Sequence, residues 1–294
     1  MSQISKPWVG LQALAIVLLW RAIAHCVVVL ERAWLAEPAQ LLFGFGVGAI
    51  GFALVWRGLR VDELPASVLG FVGGALIWMG WFEHAFEYLA KVMAVPPLVY
   101  EGRYTLPPNL VLLESTIFIL AALLLLFAVN ADTGCRAFLW CRKTLRIPVG
   151  VPSRGLRKSY SRLVALEYVC VSWFMYAAII LLLDPRIAGK DSLATQIVFW
   201  GLMLWSVYLV SLCARRVSQP GAGLRYAVGA GGIIWLTVEL GAQLKYWVEV
   251  WIKPLQMPVP NTIFLLLFLI LISWLSLQAD RGQRFGSTEG EVRG

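Results

Sequence analysis

Residues 67–94 read SVLGFVGGALIWMGWFEHAFEYLAKVMA, and this run decides the fold. It is longer than the roughly 20 apolar residues that a bilayer core requires. Its second half, Trp78 to Lys91, nevertheless sets Glu83, His84, Glu87 and Lys91 into the apolar background. An ionisable side chain in hydrocarbon costs about 3 kcal/mol even on lenient insertion scales, so four on one span need partners, water or a bound ion. Function is expected here.

Seven other apolar runs share the chain with it, at about 10–31, 40–59, 109–130, 163–183, 194–213, 224–251 and 261–278, which makes eight spans. A backbone facing lipid must satisfy its own hydrogen bonds, so every span is expected to be helical. The fold class is therefore all-α, a polytopic membrane helical bundle. Composition agrees: of 294 residues 60% are hydrophobic and 14% charged, and the mean hydropathy of +0.75 lies outside the soluble range. Near the amino terminus Ala22-Ile23-Ala24 imitates a signal-peptide cleavage site, but apolar character continues to Leu30 and predicts a retained first helix.

The net charge of +8 does not point to nucleic acid, because the basic residues cluster in short loops between spans. One side gathers Lys6, Arg57, Arg60, the loop from Arg136 to Arg162, Arg215, Arg216, Arg225, Arg281, Arg284 and Arg293. The other has Arg32, Lys91, Arg103, Arg186, Lys190 and Lys253, with Arg21 and Lys245 placed inside spans. Positive charge marks the cytoplasmic side, so both termini are expected there, in a multi-pass protein of the cell (inner) membrane. The five cysteines fall in spans, at a span end or in the basic loop, where no exoplasmic disulfide forms.

The two halves of the chain overlay. Gly74 falls on Gly231, Trp78 on Trp235, Pro97 on Pro254, Pro108-Asn109 on Pro260-Asn261 and Trp20 on Trp173. This predicts two tandem four-helix repeats, residues 1–132 and 163–280, joined by a basic cytoplasmic linker at 133–162 and followed by a polar tail at 281–294. A unit with an even number of crossings re-enters the membrane in the same direction, so the repeats are parallel. Only the first carries the dense set of ionisable groups.

Counting about 1.5 Å per residue from the span ends puts His25, His84, Glu87, Glu114 and Glu239 in the outer leaflet. Within the third span Glu83, Glu87 and Lys91 follow one another at intervals of four, one stripe of a helix, and His84 reaches Glu87 at an interval of three. Carboxylates with imidazole are the ligand chemistry of Fe, Cu, Zn or Mn, so His25, Glu83, His84, Glu87, Glu114 and Glu239 form the candidate metal set. Arg21, Lys91 and Lys245 are the accompanying cations. The two histidines on parallel spans also admit a haem b held by His25 and His84.

Four readings follow: a metal-binding membrane subunit of a redox or oxygenase-type system, a proton- or cation-coupled transporter or channel, a haem b electron-transfer subunit, and a structural subunit. Nothing resembles a phosphate loop or a Ser-His-Asp set, so no enzymatic reaction is read from the residues. The fourteen tryptophans fit interfacial belts against the lipid bilayer, and Gly44 to Gly48 is a small-xxx-small packing face. The proline-stiffened loop from Val95 to Pro108 suits a lid or a docking surface for an exoplasmic or membrane protein partner.

Overall fold

The structure is a computed structural model, and it describes residues 6–129, 142–147 and 159–291. The expected linker at 133–162 lies largely outside them. Helices α1 (Lys6–Trp34), α2 (Glu37–Gly58) and α3 (Glu63–Ile77) come first. A π-helical turn, Trp78–Glu83, joins α3 to α4 (His84–Val92). A small hairpin, β1 (Leu98–Tyr100) and β2 (Arg103–Leu106), leads to α5 (Pro108–Glu114) and α6 (Ile117–Val129). Then come α7 (Tyr160–Leu183), α8 (Leu193–Arg216), α9 (Pro220–Gln243), a single 3-10 turn at Val250–Ile252, and α10 (Pro258–Glu291).

Local sequence explains the boundaries. Prolines open α2, α5 and α9, where the missing N–H costs nothing and φ is already helical. Ser192 caps α8 by accepting the Thr195 N–H at 3.1 Å. Among the described residues six helices are long and apolar enough to cross a membrane: Trp8–Trp34, Glu37–Gly58, Glu63–Val92, Tyr160–Leu183, Leu193–Arg216 and Pro258–Leu277.

The two remaining expected spans differ from expectation. The run at 109–130 is a bent pair, with α5 and α6 meeting at 45°. Ser115 and Thr116 sit at the bend and donate their hydroxyls back to Leu112 O at 2.6 Å and Leu113 O at 2.7 Å, which competes with continuation of the helix. The run at 224–251 stops at Gln243, because Lys245 turns into the left-handed region at φ 66° and Trp247 folds back to donate to Val238 O at 2.9 Å. Gly241 permits this: a Cβ there would lie 2.1 Å from the Trp247 ring. Lys245 is therefore exposed beyond a helix end, not inside a span.

Helix α9 is the centre of the bundle, buried along most of its length and packed against α1, α3, α7 and α8. Phe71, Tyr168, Leu224, Val228 and Leu240 are among the fully buried side chains of this core. Helix α2 lies outside and leans on α3 through glycines, with Gly51 and Gly73 at the closest approach. Its opposite face bares Leu42, Phe45, Ile50 and Phe52, as a lipid-facing surface would.

Candidate functional site

His25 and Glu31 leave α1 toward different partners. His25 Nε2 lies 2.9 Å from Glu239 Oε1 of α9. Trp235, one turn earlier on α9, donates its indole N–H to the same oxygen at 2.7 Å and stacks on the imidazole with centroids 5.9 Å apart. Trp251 then covers Trp235 at 4.8 Å. The pair thus joins a residue of the first half to one of the second.

Further titratable groups continue from this pair in both directions. Outward, in the connection after α9, stands Glu249. Burial and then the negative charge of Glu239 raise its pKa above the ordinary carboxylate value, with His25, Lys190 and Lys253 opposing. Inward, the Tyr176 hydroxyl donates to Glu83 Oε1 at 3.3 Å. Arg21 follows, 5% exposed, with its guanidinium 5.1 Å from the Tyr168 ring centroid. Among the described residues its Nε and Nη2 find no hydrogen-bond partner. At the far end Arg225 reaches Glu63 at 2.6 Å and Ser67 at 3.1 Å.

His84 belongs to a second pair, placed by the π-helical turn. Widening the helix by one residue aims the Met79 carbonyl at His84, and it accepts both that residue's backbone N–H and its Nδ1–H, the latter at 2.8 Å. On the other side His84 Nε2 stands 3.0 Å from Glu31 Oε2. A carbonyl only accepts, which assigns the hydrogen on Nδ1, so the Nε2 contact with a carboxyl oxygen needs another proton between them. Either the imidazole is cationic or Glu31 is a neutral acid. The pair holds one exchangeable proton in both cases.

Glycine makes room for this arrangement. A Cβ on Gly44 would lie 2.8 Å from the His84 ring, one on Gly48 2.1 Å from Trp81, and one on Gly80 2.4 Å from Gly44 O. The small-xxx-small face of α2 is thus spent on His84 and on the π-helical turn.

Of the six candidate ligands His25 and Glu239 meet, and the others turn to different partners. Glu83 turns to Tyr176, Glu87 pairs with Arg32, and Lys91 reaches Glu37 at 3.6 Å, so the expected single stripe addresses three different helices. Glu114 is held by Arg186, whose Nη2 lies 2.8 Å from its carboxylate and 2.5 Å from the buried Asp184. Among the described residues no group of three or more His, Cys, Asp or Glu is placed to hold a metal ion. The two histidines turn their Nε2 atoms to different glutamates, and Cys26 faces Asn261 Oδ1 at 3.0 Å. The metal and haem readings draw no support from this geometry.

Glu31 and Tyr176 escape the sequence reading. Glu31 falls at the margin of the first apolar run, where a carboxylate passes for a helix end, but α1 continues to Trp34 and keeps it buried at 6% exposure. Tyr176 looks like any aromatic core residue until its hydroxyl is seen to face Glu83.

Compared with protein-family models, curated proteins and solved structures, the chain matches none.

Proposed function

We propose that the chain is an eight-span membrane protein, built as two tandem four-helix units with both ends in the cytoplasm, and that it moves protons as a proton- or cation-coupled transporter or channel. One observation carries the reading. Titratable and hydrogen-bonding groups succeed one another through the helix core, from Glu249 to the His25–Glu239 pair, to Glu83 with Tyr176, and on to Arg21 over Tyr168. Intramembrane ionisable residues are costly, and proton relays are one of the uses that repay them.

The two interruptions of regular helix, the π-helical turn and the bend at Ser115–Thr116, fit the same reading, since transporters build their sites at broken helices. A metal centre would demand three or more converging ligands, and here the carboxylates are engaged in pairs.

The test is reconstitution into liposomes carrying an internal pH dye. The protein is expected to dissipate an imposed pH gradient faster than protein-free liposomes. Proteoliposomes no leakier than lipid alone, in the presence and absence of candidate cations, would remove the reading. For the topology, cysteines placed at Gly102 and Gly189 should react with an impermeant reagent from the periplasmic side only.

A further inference from the structure

A cavity of about 220 Å³ lies against the second pair, lined by Glu31, Glu37, Gln40, His84, Glu87 and Lys91, with Leu41, Tyr88 and Val92 completing the wall. Glu37, Leu41 and Lys91 are exposed, so it opens at the surface. Behind its wall the Glu31 carboxyl, with a side chain only 3% exposed, uses Oε2 on His84 and, among the described residues, leaves Oε1 with no partner. A buried carboxylate oxygen without a donor is costly, and it specifies what is missing: a donor, preferably cationic.

The protein's own cations are committed elsewhere. Arg32 is on Glu87, Lys91 is on Glu37, and His84 Nδ1 is on Met79 O. Gln40 donates its amide to Leu35 O at 2.8 Å, which leaves its side-chain carbonyl free to accept. Beside the Lys91–Glu37 pair the wall therefore offers acceptors in Glu31 and Gln40 and an apolar flank from Leu41, Val92 and the Tyr88 ring. A bare metal ion would need more converging ligands than the described residues provide.

Charge fixes the valence. The groups facing the Glu31–His84 pair are Arg32 on α1, Glu37 on α2, and Glu87, Tyr88 and Lys91 on α4, while neighbouring Glu83 faces away toward Tyr176. Three carboxylates meet two permanent cations and the one shared proton, so the cavity is neutral with that proton and carries one negative charge without it.

We propose that this cavity binds a small primary alkylammonium ion in exchange for the proton of the Glu31–His84 pair. The ammonium N–H groups take Glu31 Oε1 and the Gln40 carbonyl, and the alkyl body lies on Leu41 and Val92. The proton leaves to water, His84 becomes neutral and Glu31 anionic, and net charge in the cavity is conserved. This assigns a substrate class to the proton-coupled reading without depending on the interior relay, because binding and proton release are measured with no membrane gradient.

The experiment is calorimetry of ethylammonium chloride against the detergent-purified full chain, in buffers of different ionisation enthalpy, from pH 5 to 9. Binding should tighten about tenfold per pH unit while the pair is protonated, with close to one proton released per ion bound. Tetramethylammonium, which has no N–H to donate, should bind at least tenfold more weakly, and Glu31→Gln should abolish binding. Because Glu31→Gln can fail to fold, a second measurement uses the unaltered protein: ethylammonium should protect Glu31 from a hydrophobic carbodiimide, read by peptide mass spectrometry. Sodium displacing ethylammonium at equal concentration would replace the organic ion by an alkali ion and overturn the assignment. Binding without proton release, or no protection of Glu31, would overturn it as well. Proton flux in liposomes with no ethylammonium binding would leave the relay standing and sink this site alone.

Discussion

Glu31 Oε2 and His84 Nε2 lie 3.0 Å apart across 53 residues of sequence, and the contact closes only with a proton in it. Three separate features hold it there: the extension of α1 past the apolar run, the π-helical turn that presents Met79 O, and the absence of a side chain at Gly44.

Replacing Gly44 tests the last of these. A Cβ at Gly44 would meet the His84 ring at 2.8 Å, closer than real contacts allow, whereas one at Gly46 meets nothing within 4 Å. Gly44→Ala is expected to destabilise the protein by about 1–3 kcal/mol, the usual cost of overpacking. Gly46→Ala should be neutral or slightly stabilising. Thermal unfolding of the two variants side by side, with the His84 ring resonances followed by NMR, checks both the cost and its location.

The clasp at the carboxyl-terminal end of α7 predicts an acid limb. Burial pushes the Asp184 carboxyl up, but the hydrogen bonds and charge of Arg186 prevail and hold it below the ordinary aspartate value. A depressed folded-state pKa contributes stability that is complete above the unfolded value, about 3.9, and is lost as pH falls through the folded value. The protection of residues 184–192 from hydrogen exchange, relative to the intrinsic rate at each pH, should therefore fall as the pH is lowered below about 4. Asp184→Asn should exchange faster at neutral pH and show a flatter acid limb.

Thr116 makes two uses of one hydroxyl, donating to Leu113 O and accepting the Trp173 indole N–H at 2.9 Å. Thr116→Val leaves that buried N–H unpaired, at a cost of about 1–3 kcal/mol. The expected result is a lower unfolding midpoint together with a shifted Trp173 fluorescence. An unchanged midpoint would show that the bend does not depend on this hydroxyl.

The all-helical fold with its long apolar helices was legible because hydropathy reports directly on the surroundings a helix suits, and the ionisable residues of the third apolar run stood out against it. Less legible was where those residues point. An interval of four predicts a shared stripe only if the neighbours are equidistant, and Glu83, Glu87 and Lys91 instead found Tyr176, Arg32 and Glu37 on three helices. The bend at Ser115–Thr116 could have been found, since two adjacent hydroxyls that can bond back to the preceding turn are a local signal. The π-helical turn had no such signal. Its geometry is set by Gly80 packing on Gly44 and Gly48 from another helix, a tertiary contact that one span's sequence does not contain.

The measurement that bears most directly on the central claim is proton flux in liposomes containing Glu239→Gln beside the unaltered protein, at matched reconstitution and with unfolding midpoints compared. Glutamine keeps an acceptor for the Trp235 N–H but holds no exchangeable acid next to His25. The relay predicts that Glu239→Gln slows flux at least tenfold while the unfolding midpoint stays near that of the unaltered protein. Unaltered flux in a folded Glu239→Gln protein would contradict it.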